Sequence, residues 1–142
     1  MTDHKLVING DDEWQALNGQ SIGNSVVYVT DCGDLHPYSN GPVFTGAKIV
    51  IIRGCDKNFV YYWVNSSRFP QAEEVYILCH PCEPAVLHRF RKGTIYLVDW
   101  YQNYKNRWAE ERESLVIVKS EETLDKFEKY VNETAIILPK FV

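Results

Sequence analysis

A chain of 142 residues with 15 Lys and Arg against 19 Asp and Glu carries a formal charge of −4, which opposes the phosphate attraction that dominates nucleic-acid affinity and speaks against a DNA or RNA partner. The length suits one domain, residues 1–142, with a core of ordinary size. No apolar run approaches the length that crosses a bilayer, so the composition implies neither a second domain nor a membrane.

Residues 1–14 hold Asp3, Asp11, Asp12 and Glu13, too polar for the apolar core of a signal peptide. The expectation is an intracellular, cytoplasmic protein, with the nucleus as the other compartment left open. In that setting the four cysteines, Cys32, Cys55, Cys79 and Cys82, read as thiols rather than as a disulfide framework.

Short β-branched and aliphatic runs then recur along the chain: Leu6-Val7-Ile8, Val27-Tyr28-Val29, Val50-Ile51-Ile52, Val75-Tyr76-Ile77, Ile95-Tyr96-Leu97, Leu115-Val116-Ile117 and Ile136-Ile137-Leu138. Their first residues are 21, 23, 25, 20, 20 and 21 positions apart, so each interval holds one strand and one connector. Connectors of this length imply parallel pairing, because antiparallel neighbours can be joined by a two-residue turn. The connector at 34–45 contains His36-Pro37 and Gly41-Pro42 and reads as loop. Residues 57–65, with Phe59, Val60, Tyr62 and Trp63, read as a short helix ending before Ser66-Ser67. Helical connectors are predicted over 84–91, 100–112 and 120–132, the last with Ser120 as cap and Leu124, Phe127, Tyr130 and Val131 as an apolar stripe.

Two units, Asn24-x-x-Val27-x-Val29-x-x-Cys32 and Ala47-x-x-Val50-x-Ile52-x-x-Cys55, resemble leucine-rich repeats in spacing, although most of the leucines are missing. Later units keep the strand and lose the terminal Asn or Cys, as in Ala72, Val75, Ile77, His80. The resemblance implies an α/β repeat solenoid: one parallel sheet of six or seven strands, with helical or loop connectors on its other side. The competing architecture is a doubly wound three-layer α/β fold, which needs crossovers that alternate between faces.

Side chains alternate across a strand, so the middle residues of the runs form one column: Val7, Tyr28, Ile51, Tyr76, Tyr96, Val116 and Ile137, flanked by Leu78, Val98 and Val118. Every member is apolar or aromatic, and a sheet written this way wants cover on both faces. The expectation is a non-enzymatic protein-interaction module without a cofactor. It would meet a second copy of itself or another protein through Tyr28, Ile51, Tyr76, Leu78, Tyr96, Val98 and Val116.

The most chemical segment is Cys79-His80-Pro81-Cys82, placed between a strand and a predicted helix. It is similar to the thioredoxin-like redox motif, and it makes a small thiol oxidoreductase the runner-up function. Cys79 and Cys82 with His80 and His88 also have the spacing of zinc ligands, the runner-up metal reading. The preferred reading takes Cys32, Cys55 and His80, which hold one position in three successive units, as a structural ladder joining turn to turn. Asp31, Asp34 and His36 have no nucleophile beside them, and the charged run 108–113 is a solvated face.

Overall fold

The protein, a computed structural model, is described at residues 5–33, 35, 40–78, 89–98 and 115–118, with 97, 98 and 115–118 as backbone. Six of the apolar runs are strands: β1 (Lys5–Asn9), β2 (Val26–Thr30), β3 (Ile49–Arg53), β4 (Glu74–Leu78), β5 (Thr94–Val98) and β6 (Leu115–Val118). The seventh run, 136–138, and the helices predicted over 100–112 and 120–132 lie outside the described residues, as does most of 84–91.

The strands form one sheet in the order β1-β2-β3-β4-β5-β6, each parallel to the next. The fold is therefore α/β with a single all-parallel sheet. A doubly wound fold requires a point at which strand order reverses. Consecutive order has none, and this corrects the doubly wound winding of the competing expectation. Register follows the sequence spacing, with Val7 opposite Tyr28, Tyr28 opposite Ile51, Ile51 opposite Tyr76, Tyr76 opposite Tyr96 and Tyr96 opposite Val116.

One face of the sheet carries the main core. Ile8, Val27, Val29, Val50, Ile52, Val75, Ile77 and Ile95 meet Trp14, Ile22, Phe44, Phe59, Trp63, Phe69 and Phe90 from the connectors. Described connectors thus share one side of the sheet. Trp14 is fully buried and packs edge-on to Phe59 at 4.9 Å and to Trp63 at 5.6 Å, with Phe44 tilted against it at 5.5 Å. Phe44 and Phe69, each three residues before a buried alanine (Ala47, Ala72), stack at 4.8 Å with their planes 6° apart. Aromatic rings repeat along the connector side as the aliphatic residues repeat along the sheet.

Two helices lie among the described connectors. α1 (Asp11–Gln15) was not legible as a helix in the apolar pattern; its three acidic residues fill the first turn, where the helix dipole favours negative charge. α2 (Lys57–Trp63) occupies the 57–65 segment expected to be helical. The Asp56 carboxylate caps it by accepting from the Asn58 N–H at 2.8 Å. On its buried side α2 carries Phe59, Val60 and Trp63, and the Trp63 indole N–H donates to the Leu35 carbonyl at 2.8 Å.

Successive turns of the chain are tied at the same places. Immediately after β1, β2 and β3 come Gly10 (φ 89°), Asp31 (φ 58°) and Gly54 (φ 63°), in the left-handed region that glycine enters freely and Asp tolerates. Their N–H groups donate to the last carbonyl of the next strand: Gly10 to Thr30, Asp31 to Arg53 and Gly54 to Leu78, at 2.9, 3.2 and 3.4 Å. At the strand entries, Lys48 and Ile49 both donate to the Ser25 carbonyl, and Glu73 and Glu74 both donate to Lys48. On the connector side Ser21 and Val43 form a parallel bridge. Gly46 there lies so close to the Gly23 backbone that no side chain fits between them.

Candidate functional site

The sheet face opposite the main core carries the column read from the sequence. Strand alternation and the register put Val7, Tyr28, Ile51, Tyr76 and Tyr96 in one row across five strands. Tyr76 and Tyr96 stack at 4.4 Å with planes 9° apart. The Tyr76 hydroxyl donates to the Glu74 carboxylate at 3.2 Å. Burial, with the Glu74 charge beside it, pushes the Tyr76 hydroxyl far above its ordinary range and raises that of Tyr96 as well. Both therefore stay neutral donors throughout the physiological range.

The expectation that this stripe stands open and must be hidden by a second molecule is corrected. Tyr28, Ile51, Tyr76, Leu78 and Tyr96 are 8, 0, 2, 4 and 9% exposed within a single chain. Ile51 sits in the row between the rings of Tyr28 and Tyr76, which flank it on both sides. Only the β1 end is open among the described residues of the row, where Val7 is 43% exposed. The side chains of Val98 and Val116, also expected in the contact, lie outside the described residues.

β1 is the first strand of the sheet, and only β2 pairs with it among the described residues. The Gly10 N–H points to β2; by the two-residue alternation of a strand, the backbone groups of Lys5, Val7 and Asn9 point to the open edge. The Asn9 N–H is taken by the Glu13 carboxylate at 3.0 Å. That leaves Val7 at the centre of an edge whose far end is already capped, a partial version of the protection that sheet edges usually carry.

At the strand exits the two described cysteines come together. Cys32 and Cys55 are buried free thiols in equivalent positions of successive turns, and both line one depression at the strand exits. The Asp56 N–H donates to the Cys32 carbonyl at 2.8 Å. The Cys55 thiol donates to the carbonyls of Val29 and Arg53 at 3.8 and 3.6 Å. The neighbouring Cys55 side chain, burial and the Asp11 charge raise the Cys32 thiol far above its usual range. His80, the third expected rung, and the runner-up redox or zinc residues Cys79, Cys82 and His88 lie outside the described residues. Among the described residues no group of three or more His, Cys, Asp or Glu is placed to hold a metal ion, and no helix is long and apolar enough to cross a membrane.

In the basic stretch 88–92, Arg89 lies over the Tyr61 ring at 4.3 Å, and the Lys92 ammonium donates to Gln71 at 3.4 Å. These cations are spent on neighbouring side chains. The aromatic row of Phe44 and Phe69 was missed, although its signal was present as Phe-x-x-Ala repeated 25 positions apart. The capping of Asn9 by Glu13 has no comparable pattern, because it depends on how α1 turns back against β1.

The comparisons extend this architecture to relatives. Uncharacterized protein R849 of Acanthamoeba polyphaga mimivirus is 33% identical over 124 residues, 87% of this chain and 86% of its own. Uncharacterized protein L163 of the same virus is 36% identical over 106 residues, 73% of this chain and 75% of its own. No solved structure matches. The model of a family of unknown function, DUF5845, matches residues 27–109, from β2 past the end of β5, and the chain belongs to that family.

Proposed function

We propose that the chain is a non-enzymatic protein-interaction module, a stack of leucine-rich-repeat-like turns that self-associates through the β1 end of its apolar, Tyr-rich sheet face. The observation that carries this reading is Val7: 43% exposed, in line with Tyr28, on a strand that only β2 pairs among the described residues. A second copy related by a two-fold axis would lay its β1 antiparallel against this one. Centred on Val7, that register sets Val7 against Val7 and Lys5 against Asn9, so no like charges face each other. Lys5 also comes opposite the end of the strand where Glu13 holds the Asn9 N–H, which adds attraction of opposite charge. The row of apolar side chains then runs unbroken from Tyr28 of one copy to Tyr28 of the other. An extended segment of another protein would use the same edge by strand addition.

The two mimivirus relatives support a viral setting, in which a repeat surface would serve contact with other proteins, a likeness of architecture only.

Light scattering tests the proposal. The wild type should have twice the chain mass, whereas Val7→Asp should be a monomer with an unchanged circular dichroism spectrum, its dimer dissociation constant raised about 100-fold or more, because two carboxylates would be forced together at the centre of an apolar contact. A wild type that stays monomeric at high concentration, or a Val7→Asp variant that dimerises as before, would overturn it.

A further inference from the structure

We propose that Cys32 and Cys55 form an oxidisable dithiol, a modification site at which a disulfide can clamp two successive turns of the chain. The backbone sets the distance. Cys32 lies two residues beyond Thr30 and Cys55 two beyond Arg53, and Thr30 and Arg53 are register partners. The bond from Asp56 N–H to the Cys32 carbonyl carries that pairing past the strand ends, so the two Cα atoms sit near the inter-strand spacing of about 5 Å, within the span of a disulfide.

Both cysteines also line one depression at the strand exits, and with the Cα atoms at that spacing bond formation needs side-chain rotation rather than movement of the turns. Access comes from a shallow depression of about 420 Å³ lined by Asp31, Cys32, Gly33, Gly54, Cys55 and Asp56. Gly33 and Gly54 have no side chains to close its mouth, so a small oxidant can reach sulfur atoms that are otherwise covered.

Hydrogen peroxide balances the chemistry. One thiolate attacks the O–O bond and becomes a sulfenic acid, and the departing hydroxide takes up a proton to leave as water. The second thiol then displaces the sulfenic oxygen, forming the S–S bond and releasing a second water. Two thiols and one peroxide thus give one disulfide and two waters. The neighbouring Cys55, burial and the Asp11 charge hold the Cys32 thiol protonated, so its thiolate is scarce at neutral pH and its attack on peroxide is slow. Each unit of pH below the thiol pKa should raise the thiolate fraction, and with it the rate, about tenfold.

The full chain, freed of reductant and treated with graded peroxide at pH 7 and pH 9, gives the test by intact mass and non-reducing peptide mapping. A Cys79→Ser/Cys82→Ser variant, treated in parallel, removes the other two thiols from competition. The expected result in both is a loss of about 2 Da, a Cys32–Cys55 cross-link formed faster at pH 9 than at pH 7, its reversal by dithiothreitol, and a melting temperature several degrees higher in the linked form. Cys55→Ser should abolish the link. Addition of oxygen without a cross-link, pairing of either thiol with Cys79 or Cys82 in place of the other, or oxidation only after unfolding would overturn the proposal.

Discussion

Ile51→Asp should unfold the protein, at a cost of about 4 kcal/mol or more, while Val7→Asp in the same row leaves the chain folded. Ile51 is fully buried in the single chain, and its register partners Tyr28 and Tyr76 occupy both sides. Asp removes the buried aliphatic surface and places a carboxylate where no water reaches it, so the side chain must either stay charged without a partner or take up a proton. Val7 is 43% exposed, and a carboxylate there keeps most of its hydration, with a stability change within about 0.5 kcal/mol. Urea unfolding followed by circular dichroism distinguishes the two. A cooperative, wild-type-like transition for Ile51→Asp would mean that the row is open rather than buried. The contrast also explains why substituting Tyr76 and Tyr96 by Asp is a poor probe of association: both rings are buried and stacked, and the double variant would lose its fold before any contact could be scored.

Trp14→Ala should cost about 3–5 kcal/mol, the second of the large effects. The indole lies at the meeting point of α1, the 41–47 connector and α2, touching Phe44, Phe59 and Trp63. Alanine leaves a cavity that three rigid rings cannot fill. Trp14 Nε1 is buried without a hydrogen-bond partner among the described residues, which carries a desolvation cost of its own. Trp14→Phe removes that orphan donor and keeps an aromatic ring in the cluster, so it should lose much less stability than Trp14→Ala. Chemical denaturation of the two variants side by side measures the difference, and equal losses would show that aromatic packing is not what holds α1 to the rest of the core.

The sheet was legible because it is written twice, once as β-branched runs and once as their even spacing. Both signals survive in a single sequence, and the pairings of Tyr28 with Ile51 and of Ile51 with Tyr76 could be counted off in advance. Burial of that row was not legible. Alternation shows which side chains share a face, but not whether the rest of the chain covers it. Cys32 and Cys55 were placed together by their equivalent positions, and the bond from the Asp56 N–H to the Cys32 carbonyl adds the closeness that spacing alone does not give. α1 escaped because its five residues offer a single buried side chain, Trp14, too few for helical periodicity to register. The left-handed turns at Gly10, Asp31 and Gly54 were obscured because the second uses Asp in place of glycine. The open edge at Val7 emerges only from topology, since β1 is an edge by virtue of strand order and not of any residue in it.

Amide hydrogen exchange resolved at Val7 and Ile8 across a dilution series tests the β1 contact most directly. The Ile8 N–H faces β2 and should exchange slowly at every concentration, as a ladder bond within one chain does. The Val7 N–H faces the open edge and should gain protection as the protein is concentrated, when the β1 strand of a second copy supplies its acceptor. Exchange at Val7 that does not depend on concentration, whether fast throughout or slow even at the highest dilution, would contradict self-association through this edge.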